Sequence, residues 1–72
     1  MRGNHFYLRL GKTLMKIRKQ KKLTQETIAF LSHLDRAYIN QIENGKTNPT
    51  IKTLYKISKA LNVKISKILK TL

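Results

Sequence analysis

The stretch Leu23 to Thr50, LTQETIAFLSHLDRAYINQIENGKTNPT, decides the fold. Thr24 is a good N-cap, because its hydroxyl can accept a bond from an amide that has no partner within the helix. Glu26 then places a negative charge in the first turn, at the positive end of the helix dipole. The pattern predicts a short helix from there to about Ser32. Asp35 is a second N-cap candidate, and a helix is predicted from it to Asn44. Gly45 follows as the natural residue past a helix end, where a left-handed backbone is needed. Asn48 before Pro49 disfavours helix, so residues 46–49 read as a loop. Two short helices joined only by Ser32 to Leu34 make a helix-turn-helix unit.

Helical periodicity extends outward on both sides. Upstream, Leu10, Leu14 and Ile17 fall at i, i+4 and i+7, with Lys12, Lys16, Lys19 and Gln20 between them. That is an amphipathic helix ending near Lys22. Residues 1–7 are expected to be a flexible N-terminal extension. Downstream, Thr50 can cap a helix in which Leu54, Ile57 and Leu61 share one face. Asn62 and Val63 break it, and Ile65, Ile68, Leu69 and Leu72 form a final apolar stripe. Nothing alternates as a strand would. Residues 1–72 therefore read as one all-α domain, a compact bundle of five helices with a helix-turn-helix. A chain this short has no room for a second core.

Charge narrows the function. Sixteen Lys and Arg oppose three acids, Glu26, Asp35 and Glu43, for a formal net charge of +13. Solubility explains only part of that imbalance, and the rest points to a polyanion: DNA, RNA or an anionic membrane. Lys12, Lys16, Lys19, Lys21 and Lys22 read as a solvated face with a general electrostatic effect. The absence of cysteine excludes disulfides and Cys-based zinc sites. His5 and His33 are far apart and lack the acidic company of a metal site. No apolar run approaches the roughly 18 residues that span a membrane, and no signal peptide is visible. Paired carboxylates, a catalytic Ser/His/Asp group and a phosphate loop are also missing. The expectation is a cytoplasmic, non-enzymatic protein without metal, cofactor or small-molecule ligand.

The second helix of the unit chooses among the polyanions. With Arg36 at 0° and about 100° per residue, Asn40 lies near 40°, Ala37 near 100° and Gln41 near 140°. Ile42 and Ile39, near 240° and 300°, mark the core side, with Tyr38 and Glu43 at its two edges. The outward arc thus carries the residue types that read base edges in the major groove. Arg suits guanine, Asn or Gln suits adenine, and Ala can touch a thymine methyl.

Residues Leu10 to Leu69 resemble the lambda Cro/C1-type, or XRE-like, helix-turn-helix family. The resemblance is carried by LTQETIA (Leu23 to Ala29), YINQIENGKTNPT (Tyr38 to Thr50) and LYKISKALNV (Leu54 to Val63). Within it, LDRAYINQIENGKTNPTIKTL (Leu34 to Leu54) is similar to the controller proteins of restriction–modification systems. The resemblance implies base contacts from Arg36, Ala37, Asn40 and Gln41. It implies backbone contacts from Gln25, Tyr38, Asn44, Lys46, Thr47 and Asn48. It implies a structural ion pair between Arg18 and Glu43 that ties the first helix to the recognition helix. Three departures stand out. His33 occupies a turn position where Gly is common, Phe30 and Leu31 stand where family members are more polar, and Lys64 replaces a capping Ser or Thr. Phe30 and Leu31 either enlarge the core or form an apolar surface patch.

One recognition helix reads only a few base pairs, so a two-fold dimer on a palindromic operator is expected. The resemblance implies dimerisation through the last two helices. Tyr55, Ile65, Ile68, Leu69 and Leu72 are the apolar candidates there. Of these, Ile68 and Leu72 are the stronger interface candidates, whereas Ile65 and Leu69 also suit the monomer core. Regulation is expected to follow protein concentration and operator arrangement. Phage-type repressor and antitoxin remain alternatives of the same fold. A nonspecific basic nucleic-acid binder is the alternative of a different class.

Overall fold

The computed structural model describes residues 2–72. Its helices are α1 (Arg2–Gln20), α2 (Gln25–Ser32), α3 (Arg36–Glu43), α4 (Ile51–Leu61) and α5 (Ile65–Lys70). The segment expected as a flexible extension, residues 1–7, instead continues α1 from Arg2 onward, and Met1 lies outside the described residues. The reason is packing that the periodicity of Leu10, Leu14 and Ile17 did not reveal. The Tyr7 ring rests against the core, Phe6 meets it edge-on at 5.2 Å, and Leu8 lies against Gly45.

The core takes Leu10 and Leu14 from α1, Ile28 and Ala29 from α2, and Ile39 and Ile42 from α3. Leu54, Ile57 and Leu61 of α4 and Ile68 of α5 complete it. Helix α2 packs on α3 and α4, while α1 packs on α3 and α5. Gly11 sets the spacing between α1 and α3. A Cβ there would lie 2.5 Å from the Glu43 carbonyl oxygen and closer still to that of Ile42, so only a residue without a side chain lets these backbones meet.

Helices α1 to α4 stop in the same way. Lys22, His33, Gly45 and Asn62 each adopt a left-handed backbone with φ of 59°, 60°, 70° and 58°. In each case the next amide donates five residues back: Leu23 to Arg18, Leu34 to Ala29, Lys46 to Gln41, and Val63 to Ser58, at 2.9–3.1 Å. These bonds satisfy carbonyls that a helix end leaves open. Only one of the four stops uses glycine. His33 adopts the conformation that glycine favours, despite the steric cost of its Cβ.

The N-termini differ more. Thr24 and Thr50 accept from the amides of Thr27 and Thr53 at 3.0 and 3.1 Å. Asp35 sits at the N-cap of α3 but its side chain makes no capping bond, and neither does that of Lys64 before α5. Phe30 and Leu31 are 79% and 50% exposed, so they form surface rather than core. Among the described residues, no helix is long and apolar enough to cross a membrane.

Candidate nucleic-acid interface

Helix α3 is strongly two-sided. Ile39, Ile42 and Glu43 are buried, whereas Arg36, Ala37, Asn40 and Gln41 are exposed. The exposed four line one open groove together with Gln25 from α2 and Lys46 from the following loop. This juxtaposition needs the turn at residues 33–35, which sets the start of α2 beside the outer face of α3. Asn44 adjoins the groove through its bond to Asn40. Tyr38 does not line it; its ring is half-buried against the core. Thr47 and Asn48 lie farther along the loop, half-buried and exposed respectively, and do not line the groove either.

Behind the groove sits a buried ion pair. Arg18 Nε donates to Glu43 Oε2 at 2.7 Å and Arg18 Nη2 donates to Glu43 Oε1 at 3.0 Å. Arg18 Nη1 also donates to the Leu23 carbonyl at 2.8 Å, which fastens the end of α1. The two side chains are 11% and 5% exposed. A two-pronged Arg–carboxylate contact fixes direction as well as distance. It also neutralises the Glu43 carboxylate, which would otherwise repel a phosphate backbone. The remaining acids, Glu26 and Asp35, are exposed.

The ion pair continues outward as a chain of side-chain amides. Gln25 Nε2 donates to Glu43 Oε1 at 3.0 Å. Asn40 Nδ2 donates to Gln25 Oε1 at 3.4 Å, and Asn44 Nδ2 donates to Asn40 Oδ1 at 3.1 Å. From the sequence the members of this chain stand apart, as one ion pair and several DNA contacts. The Asn40–Gln25 and Gln25–Glu43 bonds were not read, because they join residues 15 and 18 positions apart on different helices. Gly11 was missed too, although a glycine inside an amphipathic helix is a recognised sign of close packing.

The expected dimer surface needs one correction. Ile68 is 0% exposed and belongs to the core of its own chain. Leu69, which suits the core by sequence, is 41% exposed. Adjacent helix positions lie about 100° apart, so the orientation of a six-residue helix decides which of two apolar neighbours turns inward. Tyr55 is 53% exposed. Ile65 and Leu72 are half-buried and pack against the core.

Known proteins match both sequence and structure. The helix-turn-helix family model matches residues 14–68. The control protein C.MunI of a Mycoplasma species is 42% identical over 66 residues, covering 90% of this chain and 89% of that protein. The control protein C.BamHI of Bacillus amyloliquefaciens is 41% identical over 61 residues, covering 83% and 75%. In three dimensions, the restriction–modification controller protein C.AhdI of Aeromonas hydrophila superposes with a TM-score of 0.87 at 34% identity. That superposition covers 89% of this chain and 97% of that one.

Proposed function

The chain belongs to the helix-turn-helix family of DNA-binding transcription regulators, and on that footing we propose that it is a restriction–modification controller. In this reading it binds a two-fold-symmetric operator as a homodimer. The carrying observation is the groove that gathers Arg36, Ala37, Asn40 and Gln41 beside Gln25 and Lys46. An α-helix fits the major groove, where every base pair presents a distinct pattern, and this one offers guanine-, adenine- and thymine-compatible side chains. Gln25, Asn44, Lys46, Thr47 and Asn48 supply phosphate contacts that set register without reading sequence. Tyr38 packs with its ring and reaches a phosphate with its hydroxyl. The surplus charge supplies affinity that is common to all DNA.

Two considerations support self-association. Pairing would double the number of bases read, and exposed Tyr55 and Leu69, flanked by Ile65 and Leu72, offer apolar area on α4 and α5. The names of the similar proteins support the controller role.

The test is selection of bound duplexes from a randomised pool, followed by footprinting with excess competitor DNA. The expected footprint holds two half-sites about one helical turn, or 34–36 Å, apart. Equal protection of unrelated sequences would instead mark a general basic DNA binder.

A further inference from the structure

We propose that Glu43, buried and out of reach of DNA, is a positioning residue that sets base preference by fixing which way the amides of Gln25 and Asn40 point. The inference rests on the reading of α3 as the base-reading helix.

The direction is forced from the buried end. An ionised carboxylate only accepts hydrogen bonds. Glu43 Oε1 already accepts from Arg18 Nη2, and it also meets the Gln25 side chain at 3.0 Å. Gln25 must therefore turn its NH2 inward and its oxygen outward. That oxygen meets Asn40 at 3.4 Å, so Asn40 must offer NH2 to it. The oxygen of Asn40 is left for Asn44 Nδ2 at 3.1 Å. Each step leaves one orientation, and a single ionised group decides all of them.

The outcome is a defined reading edge. An amide has two N–H donors and two lone pairs. Asn40 spends one donor on Gln25 and one lone pair on Asn44, which leaves one of each. That remaining pair is what a base with adjacent donor and acceptor atoms can engage. An Asn40 free to turn over would offer the two in either order. Glu43 excludes one order without touching the DNA.

The decisive variant is Glu43→Gln, which keeps the shape. Arg18 donates to both carboxylate oxygens, and its shorter bond, from Nε at 2.7 Å, keeps the oxygen of the new amide at the Oε2 position; the NH2 then takes the Oε1 position facing Gln25, with loss of the Arg18 Nη2 bond. Gln25 then turns over, and the order of donor and acceptor reverses along the chain. Gln25→Met is the second variant. It keeps the Arg18–Glu43 pair intact while cutting the link to Asn40, so a folding defect in the first variant leaves the proposal open to test.

The experiment determines base preference by selection from a randomised duplex pool for the full chain and its variants, alongside thermal unfolding of each. Asn40→Ala first identifies the base pair that Asn40 reads. Glu43→Gln and Gln25→Met should each shift preference at that base pair by roughly tenfold or more, while the preference lost in Arg36→Ala persists. A uniform fall in affinity with an unchanged profile would reduce Glu43 to a purely structural role and overturn the proposal. A parent chain with no base preference would overturn the functional reading as well, so the two failures are distinguishable.

Discussion

The outer face of α3 and the outer face of α4 and α5 are both open to solvent, yet they are prepared in different ways. On α3, Asn40 is held from both sides, by Gln25 and by Asn44, and Gln25 is anchored in turn on the buried Glu43. On α4 and α5, Ile51, Tyr55 and Leu69 are 65%, 53% and 41% exposed. One cation over a ring, Lys59 at 5.5 Å from the Tyr55 centroid, covers part of that surface. Each face is suited to a different kind of partner. Hydrogen bonds have direction, so a polar face can be pre-set within one chain to match a polar partner. Apolar contact has none, so an apolar face takes its final arrangement only from what covers it.

The largest effect expected is on the α3 side, where direction is stored. Glu43→Ala leaves the Arg18 guanidinium buried without its carboxylate, and should cost about 3–5 kcal/mol of folding stability. Urea titration would show a large fall in midpoint, or a chain already partly unfolded. A shift no bigger than that of a surface substitution would mean that the pair does not anchor α3.

On the other side, neighbouring residues should behave oppositely. Ile68→Ala removes a fully buried side chain and should cost about 2–5 kcal/mol in folding. Leu69→Ala should leave monomer stability within about 0.5 kcal/mol, but weaken self-association in sedimentation. If Leu69→Ala left association unchanged, α5 would not be part of a dimer surface.

The same contrast explains what could be read from the sequence. The five helices were legible because their signals are local: Thr24, Thr50, Gly45 and Pro49 act within one turn of themselves. The two sides of α3 were legible because its wheel is unambiguous, with Ile39 and Ile42 opposite Arg36 and Ala37. The inward turn of Ile68 instead of Leu69 was not, since both are apolar and α5 spans six residues. The start of α1 was misjudged because Tyr7 and Leu8 are held by distant partners rather than by a periodic stripe. Asp35 had the right chemistry for a cap, but residue type does not fix a rotamer. The amide chain was hidden because each of its longer links depends on the tertiary packing of α1, α2 and α3.

A smaller effect separates anchoring from reading within the groove itself. Lys46→Ala removes one charge from the loop beside α3. It should weaken binding to all sequences alike and reduce the salt slope of binding by about one unit. Titrations at several salt concentrations would show this as parallel losses. A change in base preference would move Lys46 into the reading set.

If α3 chooses sequence with its outer face, Arg36 is the residue whose loss should show it. The measurement is the binding free energy of Arg36→Ala across a set of duplexes differing from the selected site by one base pair at a time. A loss of about 1–3 kcal/mol is expected at one position only, where preference disappears. An equal loss on every duplex, with all preferences intact, would contradict it.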